Sequence, residues 1–315
     1  MDGVLLVDKP AGPTSHDVVL RVRRALGERA IGHAGTLDPA ATGLLVICLG
    51  DALKLQRWLA DGDKGYQATV AFGEATTTQD AEGEVTGRGD PSALDEAAVR
   101  LALAALTGPI QQLPPMFSAV RVGGRRLHEA ARAGEEVERA PRPVVVHELV
   151  LHRLGPVEAD GLRRAQVTVR CGKGTYVRTL AADLGTALGV PAHLSALRRT
   201  HAGLFLVAEA VGLDELERLA GSGEAGRGAL AARLVPPAEA LPFPTVEVDA
   251  QQARAVCQGK RLTVEGPDGL RRVIGPGRRL IAVADLRGGL LQPIRVMLTP
   301  AELDGQAGSG GRPSG

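Results

Sequence analysis

The chain has 315 residues, enough for a sizeable core and, as a soft expectation, two domains. Its net charge is +1, from 37 Lys and Arg against 36 Asp and Glu, so bulk charge alone implies no nucleic-acid or acidic partner. Four Phe, two Tyr and one Trp leave a core built from Leu, Val, Ile and Ala, and three dispersed cysteines without a Cys-x-x-Cys pair argue against a disulfide frame or a zinc site. Neither a leader pattern nor an apolar run of about 18 residues is present, and the chain reads as cytoplasmic.

Residues 3–8 form an apolar run closed by Lys9-Pro10-Ala11-Gly12-Pro13, which predicts a strand and a turn. Thr14 or Ser15 then caps a helix with Val18, Val19, Val22 and Leu26 on one side, stopped at Gly27. The stretch 32–43, Gly-His-Ala-Gly-Thr-Leu-Asp-Pro-Ala-Ala-Thr-Gly, is the most informative in the chain. It sets one carboxylate, Asp38, among small residues just before the apolar run 44–49. Asp-Pro is an ordinary turn opener, yet loops on a rigid scaffold are also where reactive groups sit.

Tyr66, Ala68, Val70 and Phe72 alternate as in a strand, followed by a polar loop over 73–89. Residues 94–106 predict a helix stopped by Gly108-Pro109. Segment 111–143 has Pro114-Pro115, Gly123-Gly124, Arg121, Arg125, Arg126 and Arg132, and reads as an insertion that closes over a ligand. Strands are expected at 144–151 and 165–169, a helix at 180–188 ended by Gly189, and an exposed Gly-rich stretch at 221–228. Prolines at 236–237 and within 242–244 mark a domain boundary, after which short apolar runs predict a small β-rich module. The tail from Asp304 is low-complexity and expected to be disordered.

Charge is distributed in blocks. Residues 163–201 hold seven basic groups and one acid, 202–256 hold eight acids and four Arg, and 260–279 hold six basic groups and two acids. A basic face is what phosphate binding needs, although solvated faces look the same in sequence. There is no phosphate-loop or dinucleotide glycine pattern. His147 and His152 are one residue too far apart for the zinc-hydrolase motif, and the deaminase cysteines are absent, so neither a metal nor a cofactor is expected.

Several blocks in one order carry a family resemblance. They are Gly-Val-Leu-Leu-Val-Asp-Lys-Pro at 3–10, the Asp38 loop, Leu-Gly-Asp-Ala-Leu-Lys at 49–54 and Lys64-Gly65-Tyr66. Pro-Pro-Met-Phe-Ser-Ala-Val-Arg at 114–121, Gly174-Thr175-Tyr176-Val177-Arg178 and Leu197-Arg198-Arg199-Thr200 follow. Together they resemble the TruB family, pseudouridine synthases that modify a uridine in the T-arm loop of tRNA.

The resemblance implies an α+β fold with a central, largely antiparallel mixed sheet and an RNA-clamping insertion at 111–143. It implies a catalytic domain over 1–240, a PUA-like RNA-binding domain resembling a small β-barrel over 241–303, and a disordered tail over 304–315. Asp38 matches the family nucleophile, Arg178 its ion-pair partner, and Tyr66 the tyrosine that stacks on the base. Tyr176 and Leu197 match the pocket wall. His33 matches the histidine that enters the RNA loop, and Lys173, Arg121, Arg125, Arg126, Arg198 and Arg199 are candidate RNA contacts. The implied substrate is tRNA, bound at its T-arm and elbow by a monomer, with no cofactor. Departures occur before Asp80, where the family usually carries another acid, and at Arg121 and His128, where Lys and Tyr are common. A guide-RNA-dependent synthase and an RNA-binding protein with secondary catalysis are the competing readings.

Overall fold

Strand β3 (Thr42–Leu49) is buried from Gly43 to Leu49, and its near-continuous apolar sequence follows from lying mid-sheet with both faces covered. A computed structural model of the chain describes residues 1–118, 121–122, 125–126, 135 and 137–305. Ahead of β3 come β1 (Gly3–Lys9), helix α1 (Ser15–Leu26) and β2 (Ile31–His33). Thr14 caps α1 in a reciprocal pair with Asp17, and Gly27 closes it in the left-handed region at φ 66°. Val18, Val19, Val22 and Leu26 are buried, as the spacing predicts.

After β3 the chain forms α2 (Gln56–Asp61), β4 (Lys64–Phe72), and β5 (Glu74–Thr76) paired with β6 (Val85–Arg88). The stretch expected to be a polar loop is therefore a small hairpin. Helix α3 (Glu96–Ala105), capped by Asp95, leads to β7 (Gly108–Gln112). The two short strands β8 (Arg121–Val122) and β9 (Arg125–Arg126) pair with each other. The side chains of Arg121, Arg125 and Arg126 lie outside the described residues, as do Gly123, Gly124, His128 and Arg132. Strand β10 (Arg142–Val157) pairs with β7 through Arg142–Gln112 and Pro143–Gln111, so the two ends of the insertion are paired strands of the main sheet.

Then follow β11 (Arg163–Cys171), α4 (Val177–Leu188), β12 (Ala192–Ala202), β13 (Phe205–Leu206) and β14 (Val211–Gly212). The ten-stranded sheet runs β14-β1-β3-β12-β4-β11-β10-β7, with β13 on β12 and β2 on β3. Its pairings are antiparallel except β1–β14 and β3–β12. This is the expected mixed, largely antiparallel architecture. Helices α3 and α4 bury Val99, Leu103, Leu180 and Leu184 against Ala68, Val70 and Phe72 of β4, while α1 covers Leu5, Val7, Leu45 and Ile47.

The Gly-rich stretch at 221–228 is exposed as expected except at Gly226, and it spans two helices, α5 (Leu213–Gly221) and α6 (Gly223–Ala231). A Cβ at Gly226 would stand 1.8 Å from the Leu219 carbonyl oxygen, so glycine is there for close approach of helices rather than for looseness.

Beyond the prolines, β15 (Thr245–Glu247), α7 (Ala250–Cys257), β16 (Leu262–Thr263), β17 (Gly269–Gly275), β18 (Arg279–Arg287) and β19 (Leu290–Val296) build a separate, curled five-stranded sheet. Helix α8 (Pro300–Gly305) closes the description, so the first two residues of the expected tail, Asp304 and Gly305, are helical, while 306–315 lie outside the described residues. Leu280, Val283 and Met297 of this module join one apolar cluster with Val4, Leu6, Leu44 and Val46 of the large sheet.

Candidate active site

Asp38 lies in a loop without regular structure, yet its backbone carbonyls are almost all engaged. Arg199 Nη2 donates to the Gly35 oxygen at 3.1 Å, Arg199 Nη1 to Thr36 at 3.3 Å, and Arg199 Nε to Leu44 at 2.7 Å. Ser15 Oγ donates to the Leu37 oxygen at 2.9 Å and accepts from the Leu37 N–H at 2.8 Å. Lys9 Nζ spends all of its donors on the carbonyls of Pro10, Pro39 and Ala41, at 2.9, 2.9 and 2.7 Å. Lys9 is fully buried, and burial pulls its ammonium below the ordinary 10.5, with Asp38 opposing. Buried cations thus hold both ends of the loop that presents the carboxylate.

Arg178, in the first turn of α4, meets that carboxylate. Its Nε stands 3.1 Å from Asp38 Oδ2 and its Nη1 3.4 Å from Asp80 Oδ2. Two more donors are fixed by the carbonyls of Thr78, at 3.1 Å, and Phe117, at 2.8 Å. The arginine side chain is 7% exposed, whereas Asp38 is 42% exposed and opens to the cavity. Surrounding protein pushes the Asp38 carboxyl above 3.8; Arg178 pulls it back, Asp80 pushes it up, and Lys9 pulls it down. The guanidinium therefore opposes the burial that favours the neutral carboxyl.

Tyr66, on β4, faces the same cavity, which measures about 280 Å³ and is also lined by Asp38, Lys64, Tyr176, Arg178, Leu197 and Arg199. Burial pushes the Tyr66 phenol above 10 and the adjacent Arg199 pulls it back. Tyr176 immediately precedes α4, and its backbone is gripped by the buried Gln112 amide. Gln112 Oε1 accepts from the Tyr176 N–H at 2.7 Å, and Gln112 Nε2 donates to the Tyr176 oxygen at 3.1 Å. Lys64 Nζ is turned away onto the carbonyls of Ala60 and Gly62.

The structure brings Asp38, Tyr66, Tyr176, Arg178 and Leu197 to one cavity and leaves other candidates outside it. His33 ends β2 beyond the cavity wall, and burial, then Arg199, lowers its pKa below 6.5. Lys173 is exposed and pairs with Asp61 at 3.0 Å. Arg198 forms a two-pronged pair with Asp8 at 3.0 and 2.7 Å. It lines a larger groove of about 520 Å³ with Gln67, Thr69 and Ser195. Gln67 and Thr69 alternate with Tyr66 along β4 and so point to the opposite face, away from the carboxylate.

Arg199 is a correction. It was expected at an RNA phosphate, but it is 1% exposed, sits in the middle of the sheet and spends its donors inside the protein. The C-terminal basic block is likewise only partly available. Arg271 is buried and holds the carbonyls of Leu270 and Pro267, while Arg272 holds those of Phe243 and Ala238. Lys260, Arg261 and Arg278 remain exposed.

Sequence reasoning missed Lys9, Asp80 and Gln112 as parts of the site. Lys9 carried a signal, a lysine directly before the turn proline at the end of an apolar strand, but such a lysine is ordinarily solvated. Among the described residues, no group of three His, Cys, Asp or Glu side chains is placed to hold a metal ion.

A buried arginine paired with a carboxylate that opens to a cavity, beside a phenol, is an arrangement suited to an enzyme. Comparison with known proteins sharpens this. Residues 23–177 match the model of the TruB family pseudouridylate synthase N-terminal domain. Residues 178–241 match the tRNA pseudouridylate synthase B C-terminal domain, and 243–298 the tRNA pseudouridine synthase II C-terminal model. A protein of Thermobifida fusca named tRNA pseudouridine synthase B is 46% identical, covering 94% of this chain and 98% of its own. One of Symbiobacterium thermophilum with the same name is 50% identical over 82% of each chain. A solved archaeal box H/ACA Nop10–Cbf5 complex aligns with TM-score 0.72 at 23% identity, over 96% of this chain and 88% of that one, a likeness of fold. The chain belongs to the TruB family of pseudouridine synthases and is an isomerase of that class.

Proposed function

We propose that this protein isomerises one uridine in the T-arm loop of tRNA, position 55 by family resemblance, with Asp38 as the nucleophile. The observation that carries the reading is the 3.1 Å pair of Asp38 and Arg178 on the wall of a cavity shared with Tyr66. The relatives' shared name, tRNA pseudouridine synthase B, supports tRNA as the substrate.

The target base must first leave the RNA stack. In the cavity its ring stacks on Tyr66, with Leu197 and Tyr176 as walls that exclude water. Asp38, held charged and aimed by Arg178, attacks C6 of the base or acts at C1′ of the sugar. The N1–C1′ bond breaks, the uracil turns, C5 bonds to C1′, and the bond to Asp38 breaks to return the free carboxylate. The proton leaves C5 and N1 ends protonated, so product and substrate have the same atoms and no oxidant or reductant enters.

His33, on β2 ahead of the Asp38 loop, enters the gap the flipped nucleotide leaves. Segment 111–143, with Arg121, Arg125 and Arg126, closes on the T-arm, Lys173 reaches backbone phosphates near the cavity, and Arg198 meets them at the separate groove it lines. The catalytic domain is 1–240, and the curled module at 241–303 is PUA-like, meeting RNA through Lys260, Arg261 and Arg278. The protein acts as a monomer in the cytoplasm, where Cys48 and Cys171 stay reduced.

Purified protein and the Asp38→Ala variant, incubated with an unmodified tRNA transcript in EDTA, test the reading. Pseudouridine in the T-loop with the wild type alone is expected, the variant losing on the order of 10⁴-fold or more while still binding tRNA. Loss of binding together with activity would make Asp38 a turn residue and sink the assignment.

A further inference from the structure

We propose that Arg199 is a positioning residue for the isomerisation: one buried guanidinium ties the Asp38 loop to the Tyr66 phenol and fixes the two reacting groups relative to each other. This rests on the reading of Asp38 and Tyr66 given above.

The geometry is specific. Gly35 and Thr36 lie before Asp38 and Leu44 lies after it, so the three carbonyl bonds of Arg199 bridge both ends of the loop. Tyr66 is the register partner of Arg199 across the β4–β12 pair, and both side chains line the cavity. The backbone of Arg199 is itself locked. It is in register with Gly43 in the parallel β3–β12 pair, where a Cβ on Gly43 would stand 2.2 Å from the Arg199 oxygen. Gly43 also has φ +97°, so any other residue there is strained as well as crowded.

The choice of a cation is the second strand. Among the described residues, no carboxylate forms an ion pair with Arg199, although it is 1% exposed. A sealed charge without a counter-ion is expensive, and neutral donors would suffice merely to tether carbonyls. What a cation adds is its field at the ionisable group opposite it in the cavity, the Tyr66 phenol, whose proton it loosens. To take a proton during the reaction Tyr66 must first be ionised to the phenolate, which a fixed positive charge favours and burial here opposes.

Three proteins decide the matter: wild type, Arg199→Met and Arg199→Lys. Each is also made in a Tyr176→Phe background, which leaves Tyr66 as the sole tyrosine. Two readouts apply: kcat and KM on a tRNA transcript, and the pH midpoint of tyrosinate absorbance in the near ultraviolet. In Arg199→Met, kcat is expected to fall about 10²-fold or more with KM within about twofold, and the tyrosinate midpoint to rise. Arg199→Lys restores part of the midpoint, having the charge, but not kcat, lacking the reach to both ends of the loop.

An unmoved midpoint in a folded Arg199→Met protein, or a loss confined to KM, overturns the proposal. If Arg199→Met does not fold, Arg199→Lys decides by the same two readouts; if neither folds, Arg199 is a fold residue and the proposal fails. The titration needs no substrate. A wild type inactive on tRNA with a shifted midpoint in Arg199→Met would therefore refute the substrate reading and leave the Arg199–Tyr66 link standing.

Discussion

Both modules of this chain tie backbone carbonyls down with sequestered arginines, and they differ in what else those arginines touch. In the C-terminal module, Arg272 holds Ala238 and Phe243 and so anchors the proline-marked connection between the sheets. Its partners are carbonyls, which do not titrate. In the large module, Arg178 holds Thr78 and Phe117 in the same manner but also pairs with Asp38 and Asp80, and with Asp38 it lines a cavity. The fastening is the same in both places. Chemistry arises where a fastened cation also has an ionisable neighbour and room for a ligand.

The comparison is broken most forcefully at Arg178. Arg178→Met leaves two carboxylates crowded in a desolvated pocket, so a loss of about 3–5 kcal/mol of stability at neutral pH is expected, with activity down 10²-fold or more, on the order of an oxyanion-hole deletion. Chemical denaturation followed by tRNA assay checks both; a variant of wild-type stability would mean that the pair is solvated.

Arg272→Ala comes next and is expected to cost about 1–3 kcal/mol while leaving kcat near wild type, because nothing that reacts touches it. A tenfold fall in kcat without a change in stability would erase the distinction between the two arginines.

The smallest effect concerns pH. The Asp38 carboxyl is raised above 3.8 in the folded protein, so the folded state holds this proton more tightly than the unfolded chain does. That contribution to stability is complete below 3.8 and is lost as pH rises through the folded value. Asp38→Asn is therefore expected to be more stable than the wild type at neutral pH, with the gap closing on acidification. A gap that widens on acidification would show that Arg178 outweighs burial.

Much of this was legible in the chain. Thr14, the four apolar residues of α1 and Gly27 announce that helix, and the alternation from Tyr66 announces β4. Strand β12 did not announce itself, because His193, Arg198, Arg199 and His201 make it look like surface. Two of these are buried polar groups satisfied by carbonyls, His193 at Glu74 and Arg199 at three places, and no periodicity reveals such partners. Asp38, Arg178 and Tyr66 were found because their surrounding motifs resemble a family. Asp80 and Gln112 come to the site through a β-hairpin and an edge strand far away in sequence, and only the tertiary fold places them there.

The apolar cluster shared by the two sheets has a consequence for how the molecule comes apart. Leu280, Val283 and Met297 cover Val4, Leu6, Leu44 and Val46, and Lys54 Nζ adds a 2.7 Å bond to the Met297 carbonyl. The strands so covered include β3, whose preceding loop presents Asp38. Separating the modules would bare the back of that strand to water, so the two sheets are expected to melt in a single cooperative transition. The two sheets of the chain are, in folding terms, inseparable.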